Sequence, residues 1–186
     1  SCQFWLSEAV ALAVVHTLDR YIDNGVSIKW PNDIYWNDRK ICGILVEHSL
    51  SGGKIDHTIA GIGLNINQEK FLSDAPNPVS LRQIIGCDTP LSDVLRHLSE
   101  ELLRLADSLP DNAESLHAEF LSRLYRRNGL HTYRNVADRT ADHLAAGEEF
   151  CAEIADVAPD GILTLARPDG SRPRFAFKEV EFVIGK

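Results

Sequence analysis

Lys29 and Lys40 stand eleven residues apart on either side of Pro31-Asn32-Asp33, in segments apolar enough to be buried strands. Lysine is seldom buried without a partner. Strands that carry both lysines inward would bring two ammonium groups together, and such a pair attracts a polyanion such as a phosphate chain or an activated carboxylate. Asp33 follows Lys29 across the turn and suits either a magnesium ion or an ion pair with a lysine. The bland alternative is that each lysine runs its stem along apolar surface and puts its ammonium in water, with Asp33 there only to favour the turn. Against it, Lys29 lies between Ile28 and Trp30, and Lys40 opens the most apolar strand of the chain. Spacing alone supports the two alternatives alike.

Glycines form the second candidate feature. Gly61-Ile62-Gly63-Leu64-Asn65 places two of them inside a strand pattern, and Gly43 is a third gap on the preceding strand. Glycine weakens a strand and often marks a place where a ligand approaches the backbone. Gaps on adjacent strands predict a flat slot against a sheet face. This is not a dinucleotide fingerprint, because no helix follows. The seven histidines show no metal-ligand spacing, and no Gly-x-Ser-x-Gly elbow exists. His48 and His57 flank one hairpin and read as a solvated pair. Cys2, Cys42, Cys87 and Cys151 form no CxxC motif, and Cys42 reads as a small buried hydrophobe. Cysteine usage predicts a reducing, cytoplasmic setting.

The elements that must position these residues follow from periodicity. Phe4 to Ile22 has helical spacing, with Gly25 suited to the left-handed cap position. Val26 to Trp30 alternates as a strand that turns at Pro31. Ile34 to Trp36, Lys40 to Ser49 and Ile55 to Asn67 are further strands, with Ser51-Gly52-Gly53 closing a hairpin. The unbroken run Ile44-Leu45-Val46 predicts cover on both faces. Ser80 to Ile85 is a short helix stopped by Gly86. A longer one opens at Thr89 as N-cap with Pro90 at its first position, and runs to about Leu109. Its predicted buried face is Leu91, Val94, Leu95, Leu98, Leu102, Leu103 and Ala106. Asp111 or Asn112 caps a third, which reaches Tyr125.

After Asn128-Gly129 the composition becomes strand-like: Phe150 to Val157, Ile162 to Ala166, Arg174 to Phe177 and Val180 to Ile184, joined by Asp-Gly turns. The predicted fold class is α+β. A mostly antiparallel or mixed sheet flanked by helices occupies 1–130, and a small SH3-like β-barrel occupies 131–186. The chain of 186 residues is 44% hydrophobic and 25% charged, which suits ordinary globular units of this size. A net charge of −8 and the lack of a basic block argue against nucleic acid as a partner. No apolar run is long enough to predict a membrane span.

Lys29-Trp30-Pro31-Asn32-Asp33, Arg39-Lys40-x-x-Gly43-Ile44-Leu45-x-Glu47 and Gly61-Ile62-Gly63-Leu64-Asn65-x-Asn67 resemble, in order and spacing, the central motifs of the biotin protein ligases. Phe177-Lys178-Glu179-Val180-Glu181-Phe182 is similar to the ending of that family's small barrel. The resemblance is strongest from about Val26 to Asn67. It implies a class II synthetase-like catalytic domain and a two-step reaction: biotin and MgATP give biotinyl-5′-AMP and pyrophosphate, and the adenylate then acylates one lysine of a biotin carboxyl carrier protein. By motif position it implies that Lys40 meets the biotin carboxylate and the adenylate, and that Lys29 meets phosphate. Asp33 is implied at magnesium or at the incoming amine, Asn65 at the nucleotide end, and Asn67 at magnesium or phosphate. Gly43, Leu45, Gly61 and Gly63 are implied to form the biotin slot, with Trp30 packing the sheet. ATP, Mg2+ and biotin would be substrates, with no tightly bound metal. A homodimer is a further implied arrangement. A lipoate or octanoate ligase shares the fold and would use Lys40 equally. A non-catalytic biotin or biotinyl-AMP sensor would keep the same site.

The chain departs from the family in one respect. The Gly-Arg-Gly-Arg-x-Gly loop that wraps biotin, and the amino-terminal strand and helix that meet its ureido ring, have no counterpart among these residues, and the sequence contains no Met. The expectation is a truncated catalytic domain. The 186 residues alone are predicted to release pyrophosphate from ATP and biotin far below a normal rate. A coupled pyrophosphate assay checks this, and near-normal turnover contradicts it.

Overall fold

The computed structural model describes residues 2–52, 54–72, 77–109, 111–137 and 144–184. Two units divide the chain, Ser1–Tyr125 and Arg126–Lys186, five residues before the predicted boundary. The architecture is α+β, and every strand pair is antiparallel. No described helix is long and apolar enough to cross a membrane.

The first unit opens with helix α1, Cys2–Leu18, in which every residue from Ala9 to Val15 is buried. Alanines at 9, 11 and 13 let neighbours approach it from several sides. It ends four residues short of the predicted Ile22, where Tyr21 N–H and Ile22 N–H both donate to Leu18 C=O. Gly25 is therefore not the helix cap. Its φ of +87° turns the chain into the first strand, and its carbonyl accepts from Asn37 N–H.

Strands β1 (Val26–Lys29), β2 (Asp33–Trp36), β3 (Arg39–Ser51) and β4 (Lys54–Leu64) form one sheet in that order. Gly53, at the end of the predicted hairpin turn, lies outside the described residues. Ile28, Ile34 and Cys42 are paired in register and fully buried on the face that meets α1. The opposite face is covered at Tyr35, 2% exposed, and open farther along β3 and β4, where Leu45 is 58% exposed and Ile59 60% exposed. The expected cover on both faces of Ile44-Leu45-Val46 is thus corrected. Only Ile44 packs in the core, and Leu45 alternates outward as strand geometry requires.

Helix α2 (Leu81–Ile85) carries a capping box: Ser80 Oγ accepts from Gln83 N–H, and Gln83 returns a bond to Ser80 N–H. Ser80 also donates to Gln68 C=O at 2.6 Å, which ties the loop after β4 to the helix. Helix α3 is Leu91–Asp107, with Pro90 as N-cap rather than first helical residue. Thr89 therefore does not cap it, and its N–H and C=O bond to Asn67. The predicted apolar face is also corrected. Val94 and Leu105 are buried, whereas Leu91, Leu95 and Leu103 are 63%, 64% and 65% exposed. Those leucines span too wide an arc for α1, the helix packed on α3, to cover.

Helix α4 (Ala113–Ser122) follows Asn112 and buries Ala113, Leu116 and Phe120. Phe120 meets Phe4 edge to face at 5.7 Å. The buried Glu8 carboxylate receives His117 Nδ1 at 2.7 Å. Burial pushes this carboxyl above the usual range, with His117 opposing the shift. The helix stops short of the predicted Tyr125. Residues 123–125 instead run beside β1: Ile28 N–H donates to Arg123 C=O, and Tyr125 N–H donates to Ile28 C=O.

In the second unit, β5 (His131–Asn135), β6 (Glu149–Val157), β7 (Leu163–Ala166), β8 (Arg174–Phe175) and β9 (Val180–Phe182) form a sheet in the order β8-β7-β6-β5-β9. Its core contains Tyr133, Phe150, Phe175 and Phe182, with the Tyr133 and Phe182 rings 4.9 Å apart. The Asp-Gly turns sit where predicted, with Gly161 and Gly170 both near φ +87°. Strand β5 went unpredicted, since His131-Thr132-Tyr133-Arg134-Asn135 carries only one apolar side chain.

Ser80→Ala removes the α2 cap and the bond to Gln68 together. It is expected to lower unfolding stability by about 1–2 kcal/mol, measured by urea denaturation at an unchanged m-value.

Candidate functional site

The register of the first sheet brings the sequence-predicted residues together. Lys29 pairs with Asp33, Asp33 with Gly43, and Gly43 with Gly63, so one residue from each strand forms a row on the open face. Directly opposed residues of antiparallel strands project to the same side. Leu45 and Gly61 make the next pair along β3 and β4. The register between β2 and β3 shifts after Ile34, so that Tyr35 opposes Lys40 while Ile34 opposes Cys42. The extra residue is Ile41, which is buried together with Cys42. This bulge aims Lys40 back along the open face.

Lys40 Nζ lies 2.7 Å from Asp33 Oδ1, and both side chains are about one-quarter exposed. Gly43 leaves room for that contact. A Cβ there would stand 3.3 Å from Lys40 Cε and Nζ and 3.7 Å from Asp33 Oδ1. The other two glycines differ. A Cβ on Gly61 or Gly63 would meet only Leu45 or the Gly43 carbonyl at 3.6–3.9 Å, ordinary contact. The fold itself does not require those two positions to be bare. Their bareness leaves backbone uncovered beside Leu45, in line with the row that holds Asp33 and Gly43.

The turn is fixed by a residue the sequence did not single out. Asn32 C=O accepts from Ile44 N–H at 3.0 Å, and Asn32 Nδ2 donates to Ile44 C=O. These bonds clamp the Pro31-Asn32-Asp33 turn onto β3. An asparagine inside a turn signals only the turn, so its cross-strand partner was not legible. Trp30 is buried, as expected.

Asn65 lies just beyond β4. Its N–H donates to Ile41 C=O, its carbonyl accepts from Leu81 N–H, and its Nδ2 donates to Val79 C=O at 3.1 Å. Asn67 joins two loops of the fold, since its Oδ1 accepts from Thr89 N–H at 3.0 Å and its Nδ2 donates to Thr89 C=O at 2.9 Å. Both ends of its amide are thus committed to Thr89, which does not suit the metal-ligand role the resemblance implies. Among the described residues no group of three His, Cys, Asp or Glu side chains could hold a metal ion. Cys42, directly behind the pair, is pushed up to about 12 by burial and then by the Asp33 charge, against the opposing effect of Lys40. His48 meets Thr58 Oγ1 at 2.9 Å and His57 meets Asp56 at 3.0 Å, both away from the row.

Comparison with known proteins supplies the context for this geometry. Residues 3–65 match the Biotin/lipoate A/B protein ligase family. The bifunctional ligase/repressor BirA of Bacillus subtilis is 34% identical over 98 residues, covering 50% of this chain and 30% of that protein. The chloroplastic biotin–protein ligase 1 of Arabidopsis thaliana is 31% identical over 190 residues, covering 91% of this chain and 47% of that protein. The chain therefore spans less than half the length of either relative. Its fold is that of the Aquifex aeolicus biotin protein ligase solved in complex with biotin and ATP, with a TM-score of 0.72 at 18% identity over 97% of this chain and 72% of that one. Residues 3–65 are thus similar to the Biotin/lipoate A/B protein ligase family, and most of the chain is similar to part of a biotin–protein ligase.

Gly43→Ala tests the steric basis of the ion pair. The flexible end of Lys40 can retreat, so unfolding stability is expected to fall by less than about 1 kcal/mol. Lys40 should leave Asp33 and react faster with an amine-modifying reagent. Peptide mass spectrometry of the modified protein reads the rate, and an unchanged rate contradicts the assignment.

Proposed function

We propose that this chain is the ligase portion of a biotin protein ligase: it joins biotin to ATP and passes the biotinyl group to a lysine of a biotin carboxyl carrier protein. In the first step a biotin carboxylate oxygen attacks the α-phosphorus of MgATP and pyrophosphate leaves. In the second, the carrier lysine's neutral amine attacks the acyl carbon, the bond to AMP oxygen breaks, and the amine gives up a proton. Both steps bring together groups that repel or react poorly. A carboxylate is a weak nucleophile toward a phosphate of like charge, and the acyl intermediate develops an oxyanion that needs a positive partner.

The observation that carries the proposal is the Lys40–Asp33 pair at 2.7 Å, with Asp33 in line with Gly43 and Gly63. Lys40 would exchange Asp33 for the biotin carboxylate, lowering repulsion in the first step and stabilising the oxyanion in both. Lys29, in the same row, would meet the phosphates. Asp33, released from Lys40, would orient the incoming amine. Gly43, Leu45, Gly61 and Gly63 would hold the biotin rings and tail against the sheet. Asn65 would stand at the nucleotide end. Magnesium would enter as part of the MgATP substrate, with no step assigned to a protein-held ion. The second unit is read as a small SH3-like barrel, the setting as the cytoplasm, and a homodimer as compatible with the carrier partner.

Lys40→Ala in the intact protein is expected to slow biotin-dependent pyrophosphate release by about 100-fold or more while leaving the thermal midpoint within a few degrees. Excess lipoate should not compete with biotin in the same assay. Unchanged turnover would remove Lys40 from the chemistry, and effective competition by lipoate would move the substrate to the other acid the family handles.

A further inference from the structure

Tyr35 is a large polar side chain on the face that carries the two lysines, and the proposed chemistry makes no use of it. It is 2% exposed. Its register partners are Ser27 on β1 and Lys40 on β3, which puts Lys29 diagonally across from it. The Lys29 ammonium lies over its ring, 5.5 Å from the centroid. Tyr125 packs against the same residue, with ring centroids 5.2 Å apart and planes tilted by 33°. Tyr125 is held twice: its N–H donates to Ile28 C=O, beside Lys29, and its hydroxyl donates to Asp38 in the turn after β2.

We propose that Tyr35 is the positioning residue for Lys29, its ring face setting the ammonium and Tyr125, pinned to Asp38, setting the ring. The proposal rests on the reading above that Lys29 meets the phosphates. A lysine stem has several rotatable bonds, and its ammonium is strongly hydrated. An aromatic face attracts the cation through its quadrupole and so adds a directional contact to the flexible stem. The backbone bond from Tyr125 to Ile28 adds to this arrangement, because it ties the second ring to the strand that bears Lys29.

The test measures KM for ATP and kcat for biotin-dependent pyrophosphate release in the intact protein. Tyr35→Leu, which removes the ring face, is expected to raise the KM for ATP about 3- to 30-fold with a smaller effect on kcat. Tyr35→Phe keeps the ring face and should restore KM to within about threefold. In a Lys29→Met background Tyr35→Leu should change the KM for ATP far less than it does with Lys29 present. A folded Tyr35→Leu protein with normal KM, a Phe variant as impaired as the Leu variant, or additive effects with Lys29→Met would each overturn the proposal. Asp38→Ala, which removes the acceptor for the Tyr125 hydroxyl, keeps the test open if Tyr35→Leu fails to fold. Asp38 lies at an exposed turn, and a raised KM that vanishes in the Lys29→Met background is expected, while an unchanged KM overturns the proposal. Failure of the underlying reading is separable: in that case Lys29→Met alone leaves the KM for ATP unchanged.

Discussion

The antiparallel register of the first sheet holds the candidate site and the core together. Ile28, Ile34 and Cys42 form a buried row on one face, and Lys29, Asp33 and Gly43 form the neighbouring row on the other. A slip of one residue in any pairing would exchange these rows, putting two charges into the core and the isoleucines into water. Hydrophobic burial therefore sets the register, and the register places the charged row. Two local devices sharpen it. Asn32 clamps the turn to Ile44, and the bulge at Ile41 places Lys40 one step nearer to Asp33 than a regular ladder would.

The parts of this arrangement legible in the sequence are those that depend on neighbours along the chain. Alternation in Val26-Ser27-Ile28-Lys29, the Ser80 cap with its Gly86 stop, and the Asp-Gly turns of the second unit all express short-range rules. The pairing of Lys40 with Asp33 was one of two options left open for that carboxylate, and the motifs fixed the residues of the site without fixing their distances. The glycine gaps were visible as gaps. Only the structure separates Gly43, where a side chain would crowd Lys40, from Gly61 and Gly63, where one would make only ordinary contacts.

What the sequence concealed depends on partners distant along the chain. The run Ile44-Leu45-Val46 has the composition of a strand covered on both sides, yet Leu45 faces outward beside Gly61. Composition cannot distinguish a second core layer from an apolar face that accepts a ligand. Leu91, Leu95 and Leu103 of α3 were assigned inward because helical periodicity marks an apolar arc without saying how much of that arc a neighbour covers. Thr89 has the residue type of an N-cap, but the helix starts one residue later than predicted with Pro90 as its cap, and the Thr89 backbone bonds to Asn67, 22 positions away. The Tyr35–Tyr125 stack joins residues far apart in sequence and has no local signature at all.

The Lys40–Asp33 contact suits the role of an exchangeable pair for an energetic reason. A deeply buried ion pair costs several kcal/mol to break, because one charge is left without a partner in a poorly solvating interior. A pair that is partly exposed, with side chains 28% and 22% accessible, is worth closer to about 1 kcal/mol. An arriving carboxylate can therefore take Lys40 from Asp33 at small net cost, because it replaces the ion pair with one of the same kind. In the proposed reaction this exchange would free Asp33 to orient the incoming amine. The buried residue behind the pair favours the same outcome. With its pKa pushed up to about 12, Cys42 stays a thiol at neutral pH, so it adds no competing negative charge beneath Lys40. It also presents no thiolate to intercept an activated acyl group. The charges grouped at the end of the row are then those of Lys29, Lys40 and Asp33, with Glu47 farther along the same face of β3.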